Sequence, residues 1–325
     1  MNLRRRDVLC LILALFPGPV AAQVSPAANV YRIGWLGTAH TDSEWDRFTE
    51  GLRELGWIEG QNLAFERLYS GGRSDRFPAL AAQLVQRNVD LIVAVGTQPA
   101  VAARDATTTI PILFFFVGDP VGSGLVASLA RPDRNLTGLG GFAAGLHVKN
   151  LELLKEMVPT ASRIAMFVND DFSLHTVIRA VIEPAARELG VNLLPIQAKV
   201  PEDIDIAFAM IARDKIDALC ILGQPLIGAE RMRVAKLALD HRMPAISTFD
   251  IATEAGLLMS YASRLDDDAR RLPYYVDRIF RGAKPADLPV EQPTRFYLVI
   301  NLKTADAIGV SVPRSMLARA DQVIQ

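Results

Sequence analysis

The run Phe114-Phe115-Phe116-Val117-Gly118-Asp119-Pro120-Val121-Gly122-Ser123-Gly124 places one acid among three glycines directly after a greasy stretch. A glycine-rich turn cradles phosphate when Gly-Lys-Ser/Thr follows, or a dinucleotide when the glycines are spaced G-x-G-x-x-G. Neither pattern is present. His40, His147, His175 and His241 are scattered, with no HxxxH and no CxxC, which argues against a zinc site. No G-x-S-x-G elbow occurs. His40, Asp42 and Ser43 lie close together, but they read more simply as a polar loop in which Ser43 caps the next helix. The triplet Asp266-Asp267-Asp268 suits a helix N-terminus, and three adjacent helical residues point different ways, so no metal is expected there either. No catalytic residue and no cofactor is expected.

Composition bounds the answer. The chain has 325 residues, 50% of them hydrophobic and 22% charged, enough for roughly two domains of ~150 residues. Arg4-Arg5-Arg6, the short apolar core Val8–Phe16, the Pro17-Gly18-Pro19 break and Val20-Ala21-Ala22 read as a secretory signal peptide over residues 1–22. Export by the general or the twin-arginine route stays open. Cleavage would take three arginines and one aspartate, leaving 32 basic residues of 35 against 35 acidic of 36. Such a balance gives no reason to expect nucleic acid or an anionic membrane as partner. Only Cys220 would remain, so an exported product must stand on its core without a disulfide.

The elements that must position any site follow from periodicity. Val30–Leu36, Asn62–Leu68, Leu91–Val95 and Ile112–Val117 read as strands, separated by amphipathic helices. One helix carries Trp45, Phe48, Leu52 and Leu55 on a face; another starts at Ser74 and buries Phe77, Leu80, Ala81, Leu84 and Val85. The later strands are apolar throughout, as parallel strands covered on both faces are. Phe114–Val117 is expected to be the innermost strand of the first unit. The alternation falters over Asn135–Gly145, read as a crossing between units. It restarts with strands at Arg163–Val168, Val191–Ile196, Ala218–Leu222 and Ala245–Ser247, again alternating with helices. After Leu257–Tyr261, Leu265, Ala269, Leu272, Val276, Ile279 and Phe280 share one helix face, with Ser263 as its expected cap. A Pro-rich segment leads to Phe296–Ile300 and a last helix. The expected fold class is α/β, in two doubly wound parallel-sheet units.

Three separated stretches carry a family resemblance. They are Gly51-Leu52-Arg53-Glu54-Leu55-Gly56-Trp57-Ile58-Glu59-Gly60-Gln61-Asn62, then Gly118-Asp119-Pro120-Val121 with Leu129-Ala130-Arg131-Pro132-Asp133-Arg134-Asn135-Leu136-Thr137-Gly138, and then Gly282-Ala283-Lys284-Pro285-Ala286-Asp287-Leu288-Pro289-Val290-Glu291 followed by Asn301-Leu302-Lys303-Thr304-Ala305. With them the chain resembles the tryptophan/tyrosine-binding (TrpX-like) group of ABC-transporter substrate-binding proteins, of the type I periplasmic binding protein fold. The resemblance covers nearly the whole chain after residue 22 and is weakest over 165–255.

The resemblance implies two lobes joined by a multi-strand hinge, lobe 1 from 30–142 plus 263–290 and lobe 2 from 143–262 plus 291–325. It implies an extracytoplasmic, monomeric binding protein. That protein would close its cleft on a small carboxylate-bearing ligand, an amino acid or related organic acid, and dock on an ABC permease in the membrane. An exported enzyme or a sensory binding protein on the same fold is the competing reading. In open parallel sheets, ligands sit beyond the carboxyl ends of the strands. The candidate contacts are therefore Thr38, Thr41, Thr97, Gln98, Asp119, Asn169, Asp171, Phe172 and Gln224, with Phe249, Asp250 and Tyr261 at the second rim and Phe142 at the crossing. A ligand carboxylate is expected near Thr97 and Gln98 or near Thr38 and Thr41. Asp119 either accepts from a ligand ammonium or caps the helix after it. Phe142, Phe172, Phe249 and Tyr261 are candidates to stack on a planar ligand.

Overall fold

A computed structural model describes residues 30–40, 42–140 and 145–325. The signal peptide, Thr41 and Phe142 lie outside the described residues, as do the side chains of Asp266 and Asp268 in the acidic triplet. The first half runs β1 (Tyr31–Gly37), α1 (Asp42–Glu54), β2 (Leu63–Tyr69), α2 (Phe77–Gln86), β3 (Leu91–Val95), α3 (Thr97–Ala106), β4 (Ile112–Val117), β5 (Leu136–Gly140). The second runs α4 (Gly145–Met157), β6 (Arg163–Val168), α5 (Ser173–Glu188), β7 (Asn192–Gln197), α6 (Asp203–Arg213), β8 (Ala218–Ile221), α7 (Pro225–Ala229), α8 (Arg231–Asp240), β9 (Ala245–Ser247), α9 (Asp250–Glu254), β10 (Met259–Ala262). The chain ends with α10 (Leu265–Phe280), β11 (Tyr297–Asn301), α11 (Leu302–Ile308), α12 (Arg314–Leu317) and β12 (Gln322–Ile324).

The strands form two sheets. The first has the order β2-β1-β3-β4-β5 and is parallel throughout; the second has the order β12-β11-β10-β9-β8-β6-β7 and is parallel except where β11 runs against β10. Alternation within β4 explains its unbroken greasiness. Ile112 and Phe114 pack on one face with α2 and α3, while Leu113 and Phe115 pack on the other with α1 and α10, all four fully buried. Each buried Phe of this kind contributes on the order of 1.5–3 kcal/mol relative to exposure. In β6, Ile164 and Met166 likewise face one cluster and Ala165 and Phe167 the other.

Three expectations need correction. Residues 136–140, within the stretch read as a crossing, form β5, paired along β4. Their Gly and Thr content hid the strand: Leu136, Thr137, Gly138, Leu139 and Gly140 are all buried, and the glycines are there because β4 comes too close for side chains. Consequently β4 lies between β3 and β5, and the central strand is β3. Ser263 is buried but does not cap α10, whose N-cap position is Arg264 without a side-chain cap.

The chain passes from the first sheet to the second after β5 and returns after β10, and α10 packs across α1. Trp57 Nε1 donates to Asp277 Oδ1 at 3.0 Å, and Tyr31 stacks on Phe280 with centroids 4.2 Å apart. Residues 288–291 then run along β5: Glu291 N donates to Gly138 O at 3.0 Å, and Gly140 N to Glu291 O at 2.9 Å. From there the chain crosses again into β11. Three crossings between two doubly wound, mainly parallel sheets make the two-lobed architecture.

Candidate ligand-binding site

The carboxyl ends of the strands of both sheets meet at one cavity. From the first sheet come Thr38 and Ala39 after β1, Val95 to Gln98 after β3, and Phe116 and Gly118 at the end of β4. From the second come Phe172, Leu174 and Ile178 after β6, Gly223 to Pro225 and Gly228 after β8, and Thr248, Phe249 and Ile251 after β9. Glu44 of α1 and Leu146 and His147 of α4 complete it. The sheets touch here. Phe116 stacks on Phe249 with centroids 5.0 Å apart and planes at 23°, and Gly118 packs against the side chain of Leu174. Phe116 is held with φ at 58°, a left-handed conformation uncommon for an aromatic residue, which turns β4 at the cavity edge.

Of the residues anticipated from the sequence, Thr38, Thr97, Gln98, Phe172, Gln224 and Phe249 line this cavity. The other described ones, Asp119, Asn169, Asp171, Asp250 and Tyr261, make local contacts outside it. Asp119 Oδ1 accepts from Gly122 N at 2.8 Å, closing a turn; no regular helix follows, so the anticipated helix cap is instead a turn cap. Asn169 Oδ1 accepts from Asp171 N at 3.0 Å, and Asp171 is exposed and pairs with Lys199 at 2.8 Å. Asp250 accepts from Ile251 N at 2.9 Å, and Tyr261 packs against the core beside Phe296. His40 and Asp42 do come together, at 2.8 Å, but His40 also faces the Tyr69 hydroxyl at 3.2 Å and neither lines the cavity.

Among the lining residues absent from the sequence reading, Glu44, His147 and Phe116 bear most on the chemistry. Glu44 is 5% exposed and shares the buried stripe of α1 with Phe48 and Leu52, four and eight residues on. An acid in register with an apolar stripe was the available signal. His147 stands likewise among the buried residues Asn150, Leu151 and Leu154 of α4. Phe116 continues the apolar run of β4 and gives no sequence signal of its place on the cavity wall.

The polar lining is mostly neutral. α3 starts at Thr97 with no side chain capping it, and Gly96, Thr97 and Gln98 line the cavity, so the positive end of its dipole lies there. The Thr97 hydroxyl oxygen accepts from Gly118 N at 3.3 Å, which leaves its proton to donate. Oε1 of Gln98, both amide atoms of Gln224 and Nδ1 of His147 are buried without a hydrogen-bond partner. Burial pushes the His147 pKa down to about 4, with the neighbouring His175 adding to the shift. His175 is wholly buried. Its Nδ1 accepts from Asn169 N at 2.8 Å, so the proton sits on Nε2, 3.4 Å from the Gly223 carbonyl. His175 thereby ties the loop after β6 to the loop carrying Gln224, and burial lowers its pKa to about 4 as well. Among the described lining residues Glu44 is the only acid, and there is no Lys or Arg. Among the described residues no three His, Cys, Asp or Glu side chains gather as a metal site, and no helix is long and apolar enough to cross a membrane.

Residues 39–324 match the family described as ABC transporter substrate binding protein. A tyrosine-binding protein of Clostridioides difficile is 24% identical over 263 residues, 81% of this chain and 75% of that one. A conserved domain protein of Vibrio cholerae has the same fold at TM-score 0.83 and 27% identity, covering 91% of this chain and all of its own. An ABC domain from Streptococcus pneumoniae, solved in complex with L-Trp, follows at TM-score 0.82 and 24% identity over 91% of this chain and all of its own.

Proposed function

The chain belongs to the family of ABC transporter substrate-binding proteins, and from that premise we propose that it captures a zwitterionic amino acid with an aromatic or large apolar side chain for import. The carrying observation is the charge arrangement of the cavity: one buried acid, Glu44, and an uncapped helix N-terminus, with no basic side chain among the described lining residues. A ligand ammonium pairs with Glu44. A ligand carboxylate sits at the start of α3, against its free N–H groups and the hydroxyls of Thr97 and Thr38. The body lies among Phe116, Phe249, Phe172, Leu174 and Ile178. The tyrosine-binding and Trp-bound relatives support an aromatic amino acid.

Because the lining is drawn from both sheets, a ligand that bridges them favours the closed arrangement over the open one, and this difference is what a membrane permease reads. The protein works outside the cytoplasm, after removal of residues 1–22, and as a monomer. Titration calorimetry across the amino acids tests the reading. Aromatic amino acids should bind, dicarboxylates should not, and Glu44→Gln should lose roughly 10- to 100-fold, as expected for one charge-assisted hydrogen bond. Full-strength binding by Glu44→Gln would remove the assignment of the ammonium.

A further inference from the structure

The second sheet contributes a polar corner to the cavity that carries no net charge. Gln224 is 2% exposed, and neither its carboxamide oxygen nor its nitrogen has a protein partner. His147 is 8% exposed, and its Nδ1 also lacks one. Both line the same cavity, His147 from α4 and Gln224 directly after Gly223, whose carbonyl faces His175 Nε2 at 3.4 Å. Buried amide atoms are ordinarily paired, so three unpaired polar atoms in one corner of a cavity mark a place that waits for a partner.

Resting on the amino-acid reading above, we propose that Gln224 and His147 recognise one uncharged hydrogen-bonding group on the ligand's body, a hydroxyl or ring N–H. The corner thus sets specificity among aromatic amino acids. Charge chemistry points the same way. The ionic ends of the ligand are matched by Glu44 and α3, both in the first sheet's half of the cavity. The corner offers only dipoles: burial holds His147 neutral down to about pH 4, and a carboxamide both donates and accepts. A site built to hydrogen-bond a hydroxyl or N–H rejects the analogue that lacks it far more strongly than an apolar pocket rejects an extra methylene.

Calorimetry on the exported chain with two matched pairs tests this: L-tyrosine against L-phenylalanine, and L-tryptophan against 1-methyl-L-tryptophan. The wild type should prefer the hydrogen-bonding member of at least one pair by about tenfold or more. Gln224→Met, near in shape and without polar atoms, should reduce that preference to under about threefold while phenylalanine affinity stays within about threefold. Ligand-free Gln224→Met should melt no lower than wild type, because it removes two unpartnered buried atoms; a clear drop would make Gln224 a structural residue and overturn the proposal. Equal binding within both pairs by the wild type, or equal weakening of both members in the variant, would overturn it while leaving the amino-acid reading intact. Failure of all four compounds to bind would remove both.

Discussion

By its place in a glycine-rich turn after a strand, Asp119 suits either a grip on a ligand amine or a cap on a following helix. Its carboxylate is used locally, on Gly122 N, and a Cβ at Gly122 would fall 2.1 Å from Asp119 Oδ2 and displace the carboxylate from that bond. Asp119→Asn keeps an oxygen for that bond, so ligand affinity in calorimetry should stay within about twofold and stability within about 0.5 kcal/mol. Asp119→Ala should lose roughly 0.5–1.5 kcal/mol in urea melts without touching affinity. A tenfold loss of affinity in Asp119→Asn would return the residue to the site. The contrast with Glu44 shows what was legible at this scale. Loops after parallel strands are visible in a sequence, and six of their residues do line the cavity. Which way a side chain turns within its loop is decided by local backbone donors, and these depend on turn geometry that spacing alone does not reveal. The buried acid of α1 and the buried histidine of α4 were readable only as misfits in an apolar stripe.

At the scale of elements, the stretches that carried the family resemblance are mostly joints. Asn62 Oδ1 accepts from Ile58 N at 2.7 Å and its Nδ2 donates to Gly56 O at 2.9 Å, which fixes the turn from α1 into β2. Asn135 donates to the carbonyls of Ile110 and Thr107 at 2.7 and 3.3 Å, tying the start of β5 to that of β4. Asn301 accepts from Thr304 N at 3.1 Å and caps α11. Such residues make the fold recognisable while leaving the ligand open. The same stretches hid β5, because a strand containing Gly138 and Gly140 lacks the β-branched signature that periodicity detects. Gly138 has φ at 155°, and a Cβ there would fall 1.8 Å from the Phe114 carbonyl oxygen. Gly138→Ala should therefore force β5 off β4 and cost at least about 3 kcal/mol in urea melts, well above an ordinary substitution. A loss below about 1 kcal/mol would mean that β5 can shift without consequence. β11 was legible as a strand at Phe296–Ile300, but its antiparallel direction was not, since direction is set by the route of the Pro-rich crossing at 285–293 and leaves no periodic trace.

For the molecule as a whole, the histidine pair couples the cavity to folding. His147 and His175 are both buried and neutral, their pKa values lowered to about 4 mainly by loss of water. Each also feels its surroundings. His175 adds to the shift of His147, whereas the Gly223 carbonyl and Asp170 partly offset that of His175. Above the ordinary histidine value of ~6.5, both rings are neutral in the folded and the unfolded chain, and neither contributes a slope. Between ~6.5 and about 4 the unfolded chain takes up protons that the folded chain refuses. Stability must then fall as pH falls, by up to about 1.4 kcal/mol per pH unit for each ring, before levelling once both states are protonated. Protonation of His175 Nδ1 also removes the acceptor for Asn169 N, so the loop after β6 should loosen first. Urea melts between pH 7.5 and 4.5 measure the slope. His147→Gln should remove about half of the histidine share of it and leave the high-pH plateau within about 1 kcal/mol, because His147 Nδ1 makes no protein hydrogen bond to lose. An unchanged slope in that variant would mean that His147 takes up its proton as readily in the fold as out of it, and that the polar corner is wetter than its burial implies.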